Sequence, residues 1–82
     1  MIKAYLLLTL KMGLTKQVVE EIKKIKGLES VAMVTGAFDV IVTVKVNNLE
    51  ELYQLTFVTL SNIEGINNIT THIVEKEITS ED

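Results

Sequence analysis

Apolar residues fill every even position from 2 to 10 (Ile2, Ala4, Leu6, Leu8, Leu10), while the odd positions carry Lys3, Tyr5, Leu7, Thr9 and Lys11. A period of two predicts a strand over residues 2–11, with one fully apolar face and one half-apolar face. Met12-Gly13-Leu14 breaks the alternation, with Gly13 as the turn residue. The period then lengthens. Val18, Val19, Ile22 and Ile25 form one stripe at helical spacing, opposite Lys16, Gln17, Glu20, Glu21, Lys23 and Lys24. Thr15 is the expected N-cap, Gly27 the expected C-cap, and Glu20–Lys24 an expected i,i+4 ion pair.

Period two returns over residues 28–35 and 38–46, on either side of Gly36-Ala37, which reads as a tight hairpin connection. The second run is strict, with Val40, Val42, Val44 and Val46 on one face and Ile41, Thr43 and Lys45 on the other. Asn48 as N-cap with Glu51 three residues on resembles a capping box. Leu49, Leu52, Tyr53, Thr56, Leu60 and Ile63 then mark a helical face running to about Asn62, and Gly65 ends it. A last strand is predicted over residues 66–78, followed by a tail at 79–82, so the domain occupies 1–78.

The order is β-α-β-β-α-β, an α+β, ferredoxin-like pair of split βαβ units. Right-handed crossovers place both helices on one face of a four-stranded antiparallel sheet. The other face is uncovered and is expected to carry Tyr5, Leu7, Val31, Met33 and Ile41. A second copy laid sheet to sheet would bury them, as in a dimeric α+β barrel. Composition sharpens this expectation. Eighty-two residues allow one small domain, and 48% hydrophobic residues are more than so small a core needs.

Charge and chemistry mainly exclude. A net charge of -3 with 5% aromatic residues argues against direct nucleic-acid contact. The apolar runs are far shorter than the roughly 20 residues that span a bilayer, and no small-residue cleavage site follows the first strand. A cytoplasmic protein without membrane contact is the reading. There is no cysteine for a disulfide, thiolate nucleophile or thiolate-bound metal. His72 is the single histidine and has no second ligand at helical spacing, and the four glycines are isolated. No catalytic residue, metal or cofactor is expected. One constellation stands out, Thr35-Gly36-Ala37-Phe38-Asp39 with Thr70-Thr71. Exposed amides beside a carboxylate suit a ligand bearing both a carboxylate and an ammonium group. The same residues also read as an ordinary turn with a satisfied aspartate.

The run Val34-Thr35-Gly36-Ala37-Phe38-Asp39-Val40-Ile41-Val42 resembles the Gly-x-[Tyr/Phe]-Asp hairpin of the C-terminal effector (RAM) domain of the Lrp/AsnC family. Asn48-Leu49-Glu50-Glu51-Leu52 resembles the start of that domain's second helix, and residues 63–74 resemble its closing Thr-x-Thr strand. Two features depart from the family's regulators. No helix-turn-helix precedes the first strand, as in stand-alone members, and Ile69 replaces the first threonine while Thr71 matches the second. The resemblance implies sheet-to-sheet dimers assembled into rings, commonly octamers, with a small effector, typically an amino acid, bound between dimers. It implies ligand contacts at Gly36 and Asp39, with Ala37 and Phe38 between them, and at Thr71. A full-length Lrp/AsnC regulator is the further partner it suggests. Two other readings stay open: a small dimeric α+β-barrel enzyme of the monooxygenase or isomerase kind, with His72 or Tyr5 lining a cavity between sheet and helices, and a purely structural assembly subunit.

Overall fold

In the computed structural model, which describes residues 1–80, the even positions of the first strand become the centre of the core. Strand β1 (Ile2–Leu10) buries Ala4, Leu6, Leu8 and Leu10, and β3 (Val40–Val46) lays Val40, Val42, Val44 and Val46 beside them. Helix α1 (Thr15–Ile22) caps this layer with Val18 and Ile22. Helix α2 (Leu49–Tyr53) continues as a π-helical stretch, Gln54–Thr59, and a 3-10 turn, Leu60–Asn62, and contributes Leu52, Leu55 and Leu60. With β2 (Leu28–Met33) and β4 (Ile66–Ile73), the strands form one antiparallel sheet in the order β2-β3-β1-β4. This is the ferredoxin-like α+β fold expected from the hydrophobic pattern. Among the described residues, no helix is long and apolar enough to cross a membrane.

The open face of the sheet is less apolar than its strands suggest. Its central row is Ala32, Ile41, Leu7 and Thr70, and the next is Ser30, Thr43, Tyr5 and His72. Val31 and Met33 are not on it. Leu28 and Ser30 oppose the consecutive residues Val44 and Thr43, so one extra residue bulges out of β2 and reverses the parity beyond it. Val31 therefore pairs with Val42 and packs against the core, while Met33 pairs with Val40 on the same, helix-covered side. Tyr5, Leu7 and Ile41 remain on the open face as expected.

Other boundaries shift for local reasons. Helix α1 is preceded by Leu14, with no side-chain cap from Thr15, and tightens after Ile22 into i→i+3 bonds from Lys24 to Glu21 and Ile25 to Ile22. That tightening brings residues three apart into line. The ion pairs are accordingly Glu20–Lys23 at 2.8 Å and Glu21–Lys24 at 3.4 Å, not Glu20–Lys24. At α2, Asn48 Oδ1 accepts the Glu51 N–H at 2.9 Å as expected, but the Glu51 carboxylate reaches back to Asn47, not Asn48. These bonds from Asn47 hold the Glu51 carboxyl below its ordinary value.

Strand β4 ends at Ile73, five residues before the expected limit of 78: its last pair is with Ala4, and one further bond runs from the Val74 N–H to the Lys3 carbonyl. The chain then turns so that the Glu77 carboxylate meets the Lys3 ammonium at 3.1 Å and accepts from the Tyr5 hydroxyl at 3.3 Å. Thr79 and Ser80, the described half of the expected tail, have no regular structure, and Glu81 and Asp82 lie outside the described residues. The hydrogen bond from Lys3 holds the Glu77 carboxyl below its ordinary 4.5, and the same bond raises Lys3 above 10.5. The depressed carboxyl contributes stability above its unfolded value and loses it as pH falls through the folded one; the raised ammonium contributes below its unfolded value and loses it at higher pH. Glu77→Gln is thus expected to be less stable than wild type at neutral pH and equally stable near about pH 2, by urea titration at both.

Candidate functional site

The hairpin between β2 and β3 is closed by its own backbone, with the Val34 N–H donating to the Asp39 carbonyl at 2.9 Å. Gly36 sits at φ +131° with open space around it, and Gly36 and Ala37 are both exposed. Phe38 is half-buried. Asp39 holds the hairpin against β1. Its N–H donates to the Leu8 carbonyl at 2.8 Å, and its Oδ2 accepts the Leu10 N–H at 2.8 Å. The carboxylate therefore replaces a backbone carbonyl where the β1–β3 ladder ends at Val40. Only Oδ2 is engaged among the described residues, so Oδ1 is free to accept from a ligand beside the exposed Gly36-Ala37 backbone.

Thr71 lies elsewhere. It sits on the edge strand β4 opposite Leu6, with its side chain toward the helix-covered side. There it lines a groove of about 310 Å³ together with Thr56, Phe57, Ser61, Ile66, Asn67, Asn68 and Ile69. The hairpin contributes nothing to this groove, so within one chain Gly36 and Asp39 are not brought together with Thr71. The pattern of the sequence singled out Thr71 but not Thr56 or Ser61. Those two are five residues apart, roughly 140° around an α-helix; the wide turns of the π-helical stretch bring both to one groove. A second depression, about 870 Å³, lies between the helices and mixes Glu21, Glu50 and Glu51 with Lys24, Lys26 and Lys45. None of the expected ligand residues lines it.

His72 is exposed on the open face, across from Tyr5. Neither borders either depression, and the space between sheet and helices is packed with the buried core. Among the described residues no group of three metal-ligating side chains converges.

The sequence profile of the Lrp/AsnC ligand binding domain matches residues 3–82. This chain belongs to the Lrp/AsnC ligand-binding domain family. It is 37% identical over 59 residues to an uncharacterized HTH-type transcriptional regulator of Pyrococcus horikoshii, a stretch covering 72% of this chain and 37% of that protein. The chain thus matches little more than a third of the curated relative's length. A hypothetical protein from Pyrococcus horikoshii superposes with a TM-score of 0.85 at 25% identity, covering 94% of this chain and 93% of its own. A Neisseria meningitidis transcriptional regulator, solved in complex with L-Met, superposes with a TM-score of 0.89 over 96% of this chain and 53% of its own. At 16% identity that likeness is one of fold.

Proposed function

We propose that this Lrp/AsnC domain is a stand-alone, oligomeric sensor of an amino acid, and that it acts on transcription by assembling with a full-length regulator. The observation that carries the reading is the Asp39 carboxylate, pinned through one oxygen by the Leu10 N–H and free at the other beside the exposed Gly36-Ala37 backbone. A fixed carboxylate next to open amides is a preorganised receptor for an ammonium and a carboxylate. Because Thr71 faces a different groove, a ligand touching both requires two copies, the hairpin of one against the β4 groove of another. The L-Met bound to the Neisseria regulator supports the ligand class. The Pyrococcus hypothetical protein, 93% of whose own chain the likeness covers, is a precedent for this fold without a second domain.

Native mass spectrometry with and without an amino-acid mixture tests assembly and ligand retention together. A thermal-shift scan of the twenty amino acids tests binding: at about 100 times its Kd, a ligand adds about 2.7 kcal/mol to stability. No shift at concentrations well above millimolar would sink the reading. Asp39→Ala removes the acceptor of the Leu10 N–H and is expected to cost about 1–2 kcal/mol. Asp39→Asn keeps an acceptor oxygen there but loses the charge. It is expected to retain the fold by circular dichroism while weakening the amino acid at least about tenfold. If Asp39→Asn binds as wild type does, Asp39 serves only the hairpin, and the chain is better read as a structural assembly subunit.

A further inference from the structure

The groove beside β4 has a composition that specifies more than the class of ligand. None of its eight lining residues carries a charge: Thr56, Ser61 and Thr71 supply hydroxyls, Phe57, Ile66 and Ile69 supply apolar surface, and Asn67 and Asn68 complete the lining. The hydroxyls on the helix side are turned inward, Thr56 donating to the Leu52 carbonyl and Ser61 to that of Phe57. The edge strand adds backbone groups. The Val74 N–H donates to the Lys3 carbonyl at 2.9 Å, so in the antiparallel ladder His72, Thr70 and Asn68 also bond to β1. The alternate residues Ile69, Thr71 and Ile73 then direct their N–H and C=O outward, because among the described residues no strand lies beyond β4.

Resting on the amino-acid reading above, we propose that the ligand lays its main chain along this edge at Thr71 and its side chain in the groove, which selects amino acids with uncharged side chains. The Thr71 N–H donates to the ligand carboxylate, and the Thr71 carbonyl accepts from the ammonium. An ammonium has three donors, which leaves two, and one of them reaches Asp39 Oδ1 of a neighbouring copy. The side chain then meets hydroxyls, Phe57 and Ile69. At about 310 Å³ the groove is at the small end of ligand sites. A charged side chain entering it loses hydration and finds no counter-charge.

The test uses the full 82-residue chain and four amino acids of similar length, methionine, glutamine, glutamate and lysine, measured by calorimetry and by amide shifts of labelled protein. Methionine or glutamine is expected to bind at least about tenfold more tightly than glutamate and lysine, and to move the amides of Ile69 and Thr71. Glutamate or lysine within that factor overturns the selectivity, and shifts confined to the 34–39 hairpin overturn the location, while amino-acid sensing survives either result. If none of the twenty amino acids binds, both readings fall. Ser61→Asp places a carboxylate in the groove on an exposed position and is expected to shift preference toward lysine; an unchanged order of affinities would count against this groove as the side-chain site.

Discussion

Gly65→Ala is expected to lower the stability of the domain by about 2–5 kcal/mol and the melting temperature by roughly 10–40 °C. Two costs combine. Gly65 has φ +107°, a conformation that costs a residue with a Cβ about 1–2 kcal/mol. A Cβ there would also stand 2.7 Å from Val18 Cγ2 and 3.2 Å from Leu14 Cβ, deep inside van der Waals contact. Relief by moving the backbone is obstructed, because the Gly65 carbonyl accepts the Lys11 N–H at 2.7 Å and Val18 is fully buried. Overpacking of this kind costs about 1–3 kcal/mol. Gly36→Ala separates the two terms, since Gly36 is also at positive φ but has nothing within 4 Å of the added carbon. Differential scanning calorimetry of both variants should show Gly65→Ala as clearly the worse. Equal losses would mean that the approach of the 65 turn to α1 does not constrain the fold.

That close approach was only half legible from the chain. Gly65 reads as a stop signal, and it does follow the second helix, but what makes it glycine is Val18, forty-seven positions away, reached only once the core has closed. The strands were easier. The alternation in β1 and the four valines of β3 survive intact as the buried layer, because both strands are central and each apolar residue has one side to face. Edge strand β2 misled for a physical reason. Its bulge changes which residues face the helices, and the only trace is that Leu28 and Val31 are three apart yet share a face. In the second helix, the buried set Leu52, Leu55, Thr56 and Leu60 displaces Leu49 and Tyr53 to the exposed margin. Both of those belonged to the predicted apolar face, which assumed a uniform α-helical period, whereas residues 54–59 have π-helical turns. The candidate site divides in the same way. The hairpin is local, so Gly36 and Asp39 announce it; the groove at Thr71 depends on how a π-helical segment packs beside an edge strand, and no spacing in the chain encodes that.

Leu7→Glu is expected to raise the dissociation constant for self-association at least about a hundredfold, equivalent to about 2.7 kcal/mol, while the isolated domain keeps its fold. Leu7 lies at the centre of the open face, flanked by Ile41 on β3 and Thr70 on β4, with Tyr5 and Thr9 before and after it on β1. In a single chain its side chain is only half-buried, so a carboxylate there can reach water and far-ultraviolet circular dichroism should be unchanged. Against a second sheet the same carboxylate would be desolvated twice over, once in each copy, since a two-fold axis brings equivalent surfaces together. No basic group is in the central row to meet it; Lys3 and Lys45 lie two rows away and are already engaged with Glu77 and Glu29. Met33→Glu provides the contrast. Met33 is more exposed than Leu7 and just as apolar, and on the strand pattern alone it belonged to the same face, but the bulge in β2 places it on the other side of the sheet. Light scattering after size exclusion should therefore report wild-type assembly for Met33→Glu and a shift toward monomer for Leu7→Glu. If instead both dissociate, the surface between copies extends around the β2 edge, and if neither does, the open face is not where the copies meet.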